Sequence, residues 1–148
     1  MVDVAVRVSD DVLKKYEGVS NATVLGALAK RGYLKVFMNG VHSLAPGRRL
    51  VGRAVTLRYL PSRPDLQEHV TRGGHGEGFN ETPRWDALEA LTPGDCLVAD
   101  CMGESMTSTG GDVVFSRILS QKAAGLVTDG GVRDGHKVAE YGYPVYGG

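Results

Sequence analysis

The chain has 148 residues, 42% of them hydrophobic and 23% charged, the composition of one soluble domain built on a single core. Its 17 Lys and Arg balance 17 Asp and Glu, so the formal net charge is zero and no basic stripe offers the footprint a nucleic-acid binder needs. The opening MVDVAVRVSDD lacks a basic segment followed by a long apolar core, and no apolar run approaches the roughly 18–20 residues that cross a bilayer. A cytoplasmic protein with neither nucleic acid nor membrane as partner is expected.

In chain order, Ser9 precedes DDVLKKY and Ser20 precedes NATVLGALAKRG. Each hydroxyl stands where it can accept orphan N–H groups at a helix start, which predicts two short helices. A short apolar run, VFM at 36–38, and the turn Pro46-Gly47 lead into RLVGRAVTLRYL at 49–60. There Leu50, Ala54 and Leu57 are interspersed with Arg49, Arg53 and Arg58, an imperfect alternation that reads as a strand. Thr82-Pro83 opens a helix over RWDALEAL, and Pro93-Gly94-Asp95 separates it from the apolar strand CLVAD at 96–100. A helix from about Asp112 to Ala124 and a strand GLVTD at 125–129 follow, so helices and strands alternate through the second half. A layered α/β domain is the expected architecture.

Cys96 and Cys101 have no second pair and no His at zinc-ligand spacing, and read as core thiols. The segment 61–83, PSRPDLQEHVTRGGHGEGFNETP, is longer than most loops in compact domains. Its His75 and Glu77, set among glycines, can form a lid over a ligand or simply a solvated insertion. The glycine spacing matches neither the dinucleotide fingerprint nor the phosphate loop.

The stretch GGDVVFSRILSQKAAGLVTDGGVRD, residues 110–134, concentrates the chemistry. Gly110-Gly111 precede a helix start, so an anion can approach the first N–H groups, on Val113 and Val114, without Cβ obstruction. Asp112 can serve such a site or merely complement the helix dipole. Arg133 and Asp134 emerge where the following strand ends, at the edge where ligands of α/β sheets collect, although adjacent Arg and Asp are also common surface charges. A helix start and the exit of the next strand can converge, bringing two carboxylates and a guanidinium together. Two hard oxygen ligands suit Mg²⁺ or Mn²⁺.

Twenty residues separate Asp112 from Arg133, giving D-x20-R-D. That pattern resembles the signature of the RraA-like family, which includes 4-hydroxy-4-methyl-2-oxoglutarate aldolases. SNATVLGAL, APGRRLVGRAVTL, ALTPGDCLVAD and AAGLVTDGGVRD resemble the family in order and spacing over roughly residues 12–148, and 61–83 resembles the insertion of its longer members. Some members are regulators that bind ribonuclease E and lack the complete motif. Carrying both Arg133 and Asp134 places this chain on the enzyme side of the resemblance.

The resemblance implies a single layered α/β/β sandwich of the swivelling-domain type over 1–148, and a divalent-metal aldolase acting on a 2-keto acid. Asp134 would coordinate Mg²⁺ or Mn²⁺ directly and Asp112 would hold metal-bound water. Arg133 would bind substrate oxygens, and the backbone of Gly111, Asp112, Val113 and Val114 would receive the pyruvyl carboxylate. Oxaloacetate decarboxylation passes through the same enolate. A homotrimer or dimer of trimers is implied, with sites between subunits; the alternative is a non-catalytic regulator that binds a ribonuclease or another protein. Two departures stand out. Lys137 occupies a position where many members carry an acid, which puts an outer-shell role there in question. Members also continue for several tens of residues beyond GYPVYGG, so the C-terminal strands of the sandwich are expected to be missing from 1–148 and to come from a second polypeptide.

Overall fold

The computed structural model describes residues 7–61, 63–65 and 82–148, arranged as two compact units that divide at Asn39 and Gly40. In the first unit, α1 (Asp10–Tyr16) and α2 (Asn21–Ala29) form at the two predicted starts. Ser20 caps α2, its hydroxyl accepting the Thr23 N–H at 3.1 Å. Ser9 makes no such bond, and Asp10 and Asp11 complement the dipole of α1 in its place. Neither helix has a buried residue.

The second unit is built on a five-stranded sheet. Its strands are β1 (His42–Ser43), β2 (Arg53–Arg58), β3 (Asp95–Asp100), β5 (Gly125–Thr128) and β7 (Val145–Gly147), in the order β1-β7-β5-β3-β2. All neighbours are parallel except the short edge strand β1, which pairs antiparallel with β7. Burial follows from that position: β5 is buried at every residue and β3 at most, while β2, at the edge, alternates between half-buried and exposed as the arginines in its sequence require. Two register pairs latch β2 to β3 at both ends. Arg53 Nε donates to Asp95 Oδ1 at 2.9 Å, and Arg58 Nε to Asp100 Oδ2 at 2.7 Å. Asp95 is fully buried, and its other oxygen accepts from Thr92 N–H and Thr92 Oγ1, both at 2.9 Å.

Helices α3 (Pro83–Glu89), α4 (Asp112–Ser120) and α5 (Gly135–Tyr141) supply the remaining core. Val114, Phe115 and Ile118 of α4 recur at helical spacing and bury with Leu88, Leu91, Leu97, Leu126, Val138 and Val145. Helix α4 ends four residues before the predicted Ala124, because Lys122 turns left-handed at φ 55° and the Ala123 N–H returns to the Ile118 carbonyl. Cys96 and Cys101 are free, buried thiols, and burial beside Asp95 pushes the Cys96 thiol up to about 12.

A second, two-stranded parallel sheet, β4 (Ser108–Gly110) with β6 (Gly131–Val132), lies beyond the carboxyl ends of β3 and β5. It is the device that assembles the candidate site. His75, Glu77 and the lid they could form fall outside the described residues.

Candidate active site

Pairing of β4 with β6 brings the two ends of the D-x20-R-D stretch together, since the residues following β4 are Gly111 and Asp112 and those following β6 are Arg133 and Asp134. The Arg133 N–H donates to the Gly110 carbonyl at 2.9 Å, which extends the ladder to the edge of the site. Helix α4 then begins with Gly111 as its N-cap, a residue with no side chain to satisfy the first amides.

Asp134 takes over that role from another element. It stands at the N-cap of α5 but in the left-handed region, φ 54° and ψ 35°, and its side chain makes no cap bond to its own helix. Its Oδ2 instead accepts the Asp112 N–H of α4 at 3.2 Å. Left-handed backbone is costly for a residue with a Cβ, and Asp is among the few that tolerate it. Such strain concentrates at functional sites. Gly111 is required for the arrangement: a Cβ there would lie closer than 3.0 Å to Asp134 Oδ2. The absent side chain is the room the carboxylate occupies.

Because Phe115 N–H makes the first bond of α4, to the Gly111 carbonyl, the amides of Val113 and Val114 lie ahead of the helical ladder and point toward its N-terminus. Asp112, Arg133 and Asp134 are exposed, while Gly111 and Val114 are buried. Lys137 also reaches this charge cluster. Its ammonium is held above the usual lysine value first by a 2.9 Å hydrogen bond to Glu140 and by that carboxylate's charge, with a smaller contribution from Asp112.

Each residue expected at the site is therefore gathered at this one edge. Among the described residues no three of His, Cys, Asp and Glu group together as a metal cage. Asp112 and Asp134 are exposed carboxylates whose chain positions meet where the Asp112 N–H donates to Asp134 Oδ2, and oxygen donors open to water fit Mg²⁺ or Mn²⁺ and not a closed zinc site. Sequence reasoning missed the left-handed Asp134, for which adjacent Arg and Asp give no signal, and the short strand β4, whose Ser-Thr-Gly carries no alternation. It also passed over Asp129, which bonds two distant amides (below).

Gly111, Asp112, Arg133 and Asp134 thus stand beyond the carboxyl ends of the parallel strands β3 and β5, the edge where α/β sheets generally build small-ligand sites. Residues 8–147 match the family model described as RraA-like, Aldolase/RraA, and the chain belongs to that family, which includes both aldolases and inhibitors of ribonuclease E. Among solved structures it is similar to Streptomyces coelicolor RraAS2, described as an unusual member of the RNase ES inhibitor RraA protein family, at 29% identity and TM-score 0.80 over 95% of this chain. An uncharacterized protein from Pseudomonas syringae pv. tomato (24% identity, TM-score 0.74, 95% of this chain) has the same fold. So does the RNA-processing inhibitor RraA from Thermus thermophilus (22% identity, TM-score 0.53, 75% of this chain). The chain spans 63%, 56% and 57% of the lengths of these three proteins.

Among the described residues, no helix is long and apolar enough to cross a membrane.

Proposed function

We propose that the chain is a divalent-metal-dependent aldolase that cleaves a 4-hydroxy-2-keto acid, such as 4-hydroxy-4-methyl-2-oxoglutarate, to pyruvate, and that it also decarboxylates oxaloacetate. The observation that carries this reading is the juxtaposition of Gly111 and Asp112 with Arg133 and a strained Asp134 across β4 and β6. Asp134 would hold Mg²⁺ or Mn²⁺ directly and Asp112 would hold a bound water, and the cation would supply Lewis-acid stabilisation of the pyruvate enolate. The chain's own residues do the rest. Arg133, exposed at the site mouth, presents a planar pair of donors to the substrate's oxygens and sets a fixed positive charge where the enolate develops. The first-turn amides of Val113 and Val114 receive the pyruvyl carboxylate at the positive end of α4. A Schiff-base route has little support, because Lys14, Lys15, Lys30, Lys35 and Lys122 are exposed and the half-buried Lys137 is held charged by its bond to Glu140, the opposite of an amine brought toward neutrality.

Pyruvate release from a panel of 4-hydroxy-2-keto acids and oxaloacetate, with Mg²⁺ or with a chelator, tests the proposal. Metal-dependent release supports it, and no release from any of them refutes it. A second reading, a non-catalytic regulator of a ribonuclease, is favoured by the likeness to the Streptomyces protein, described as a member of an RNase ES inhibitor family. Inhibition of a ribonuclease by a chain without turnover would select it. For either reading we propose one RraA-like domain that assembles into a homotrimer or dimer of trimers.

A further inference from the structure

The small sheet that assembles the site cannot hold its own register. Strands β4 and β6 have three and two residues, with an irregularity between Ser108 and Gly110, far below the size at which a strand pair is stable alone. Something outside the pair must fix it. Two segments lead from the main sheet into it, 101–107 from β3 to β4 and 129–130 from β5 to β6. Asp129 joins them, Oδ1 accepting the Cys101 N–H at 2.6 Å and Oδ2 the Gly103 N–H at 2.7 Å. Its partners are 28 and 26 residues away, so the carboxylate ties two crossovers together and does not merely shape its own turn.

The surroundings press the same two segments together. A Cβ on Gly130 would come within 2.6 Å of Cys101 Sγ, and the Gly131 N–H donates to the Thr107 carbonyl at 2.9 Å. Thr128 Oγ1 accepts the Gly130 N–H at 3.0 Å and shares a hydrogen bond with Thr109 Oγ1 at 2.7 Å. Between the two amides that Asp129 holds, Met102 adopts a left-handed φ of 59°, a conformation that persists only where neighbouring bonds impose it.

We propose that Asp129 is a positioning residue: by clamping 101–103 to the turn after β5, it sets the β4–β6 register and with it the separation of Gly111 and Asp112 from Arg133 and Asp134. Its effect on turnover rests on the aldolase reading; the clamp itself does not.

The test is Asp129→Asn in the full chain, read by amide hydrogen exchange without substrate. Asparagine keeps the shape but turns an NH₂ toward one of the two backbone donors, so one charge-assisted bond becomes a donor–donor conflict. Exchange at Cys101 and Gly103 is expected to quicken about tenfold or more, and exchange at Gly131 and Arg133 to quicken with it, while core Leu97 and Leu126 keep their wild-type rates. Wild-type exchange at Gly131 and Arg133 would overturn the proposal, as would equal acceleration of Leu97 and Leu126, which would mark a general loss of stability. In the oxaloacetate assay with Mg²⁺, kcat is expected to fall about tenfold or more with KM changed less than about threefold, since misplaced groups lose rate before binding. Wild-type kcat in the variant would also overturn it. A wild-type chain without turnover would count against the aldolase reading alone, leaving exchange to decide the clamp.

Discussion

Replacing Gly111 with alanine separates the site from the fold more cleanly than removing any charged residue. Gly111 has φ −135° and ψ −156°, extended backbone that alanine adopts freely, so the substitution introduces no backbone strain. The new methyl would, however, lie closer than 3.0 Å to Asp134 Oδ2, while Asp134 Cγ and Arg133 Cβ sit at 3.4 and 3.5 Å, ordinary contact. One atom must move, and it is the end of a short side chain that can rotate away. The stability cost is the Asp112–Asp134 hydrogen bond, an exposed one of about 0.5–1.5 kcal/mol, offset by about 0.4–1 kcal/mol from the lower chain entropy of alanine in the unfolded state. The two nearly cancel, so the melting temperature should shift by no more than a few degrees. Activity has no such offset. A carboxylate displaced by about 1 Å costs on the order of a hundredfold in rate. Differential scanning calorimetry alongside Mn²⁺ titration calorimetry and pyruvate release would show a stable protein with weak metal binding and little turnover. Full turnover and Mn²⁺ affinity in Gly111→Ala would refute the reasoning, because the Asp134 carboxylate would then have no required position.

Asp134→Asn should keep the left-handed backbone and the bond from the Asp112 N–H, leaving the unfolding free energy within about 0.5 kcal/mol of wild type while Mn²⁺ binding and turnover fall by about a hundredfold or more; retained Mg²⁺-dependent turnover would remove Asp134 from the site. Arg133→Lys should lower kcat/KM by about tenfold or more, because an ammonium cannot present two coplanar donors, and wild-type kinetics would reduce Arg133 to a surface charge. Asp95→Ala should cost roughly 3 kcal/mol in urea unfolding, since it removes a fully buried carboxylate that accepts from half-buried Arg53 and from Thr92, and a loss below about 1 kcal/mol would contradict the latch between β2 and β3. Light scattering should give the mass of a trimer or a hexamer, and a monomeric mass with full activity would exclude sites that need a neighbouring subunit.

What the sequence revealed and what it hid follow from the range over which each feature is determined. Strands β2, β3 and β5 and the start of α4 were legible because local pattern decides them: an apolar run beside a Pro-Gly turn, or a glycine pair before an amphipathic helix. Strands β1, β4 and β6 were not, since two or three residues of Gly, Ser, Thr, His or Val have no periodicity and pair only because longer strands deliver them. Helix α5 escaped for a different reason. Asp134 stands where an N-cap belongs, yet its carboxylate caps α4 and not its own helix, so the usual start signal carries another function.

The spacing within D-x20-R-D was legible for a geometric reason. From Asp112 the chain rises through the nine residues of α4, about 13–14 Å at 1.5 Å each, and returns through the four of β5, about 13 Å at 3.3 Å each. The outward and return paths match, so the chain regains the level it left and β6 can pair in parallel with β4. The intervening residues make the turns at either end of that crossover. Twenty is thus the length of one helix-and-strand excursion that closes on itself, and the Asp112 N–H meeting the Asp134 carboxylate at 3.2 Å is where it closes. A spacing imposed by closure leaves the residues inside it free to vary within their burial pattern, while Gly111, whose missing side chain makes room for that carboxylate, is not free.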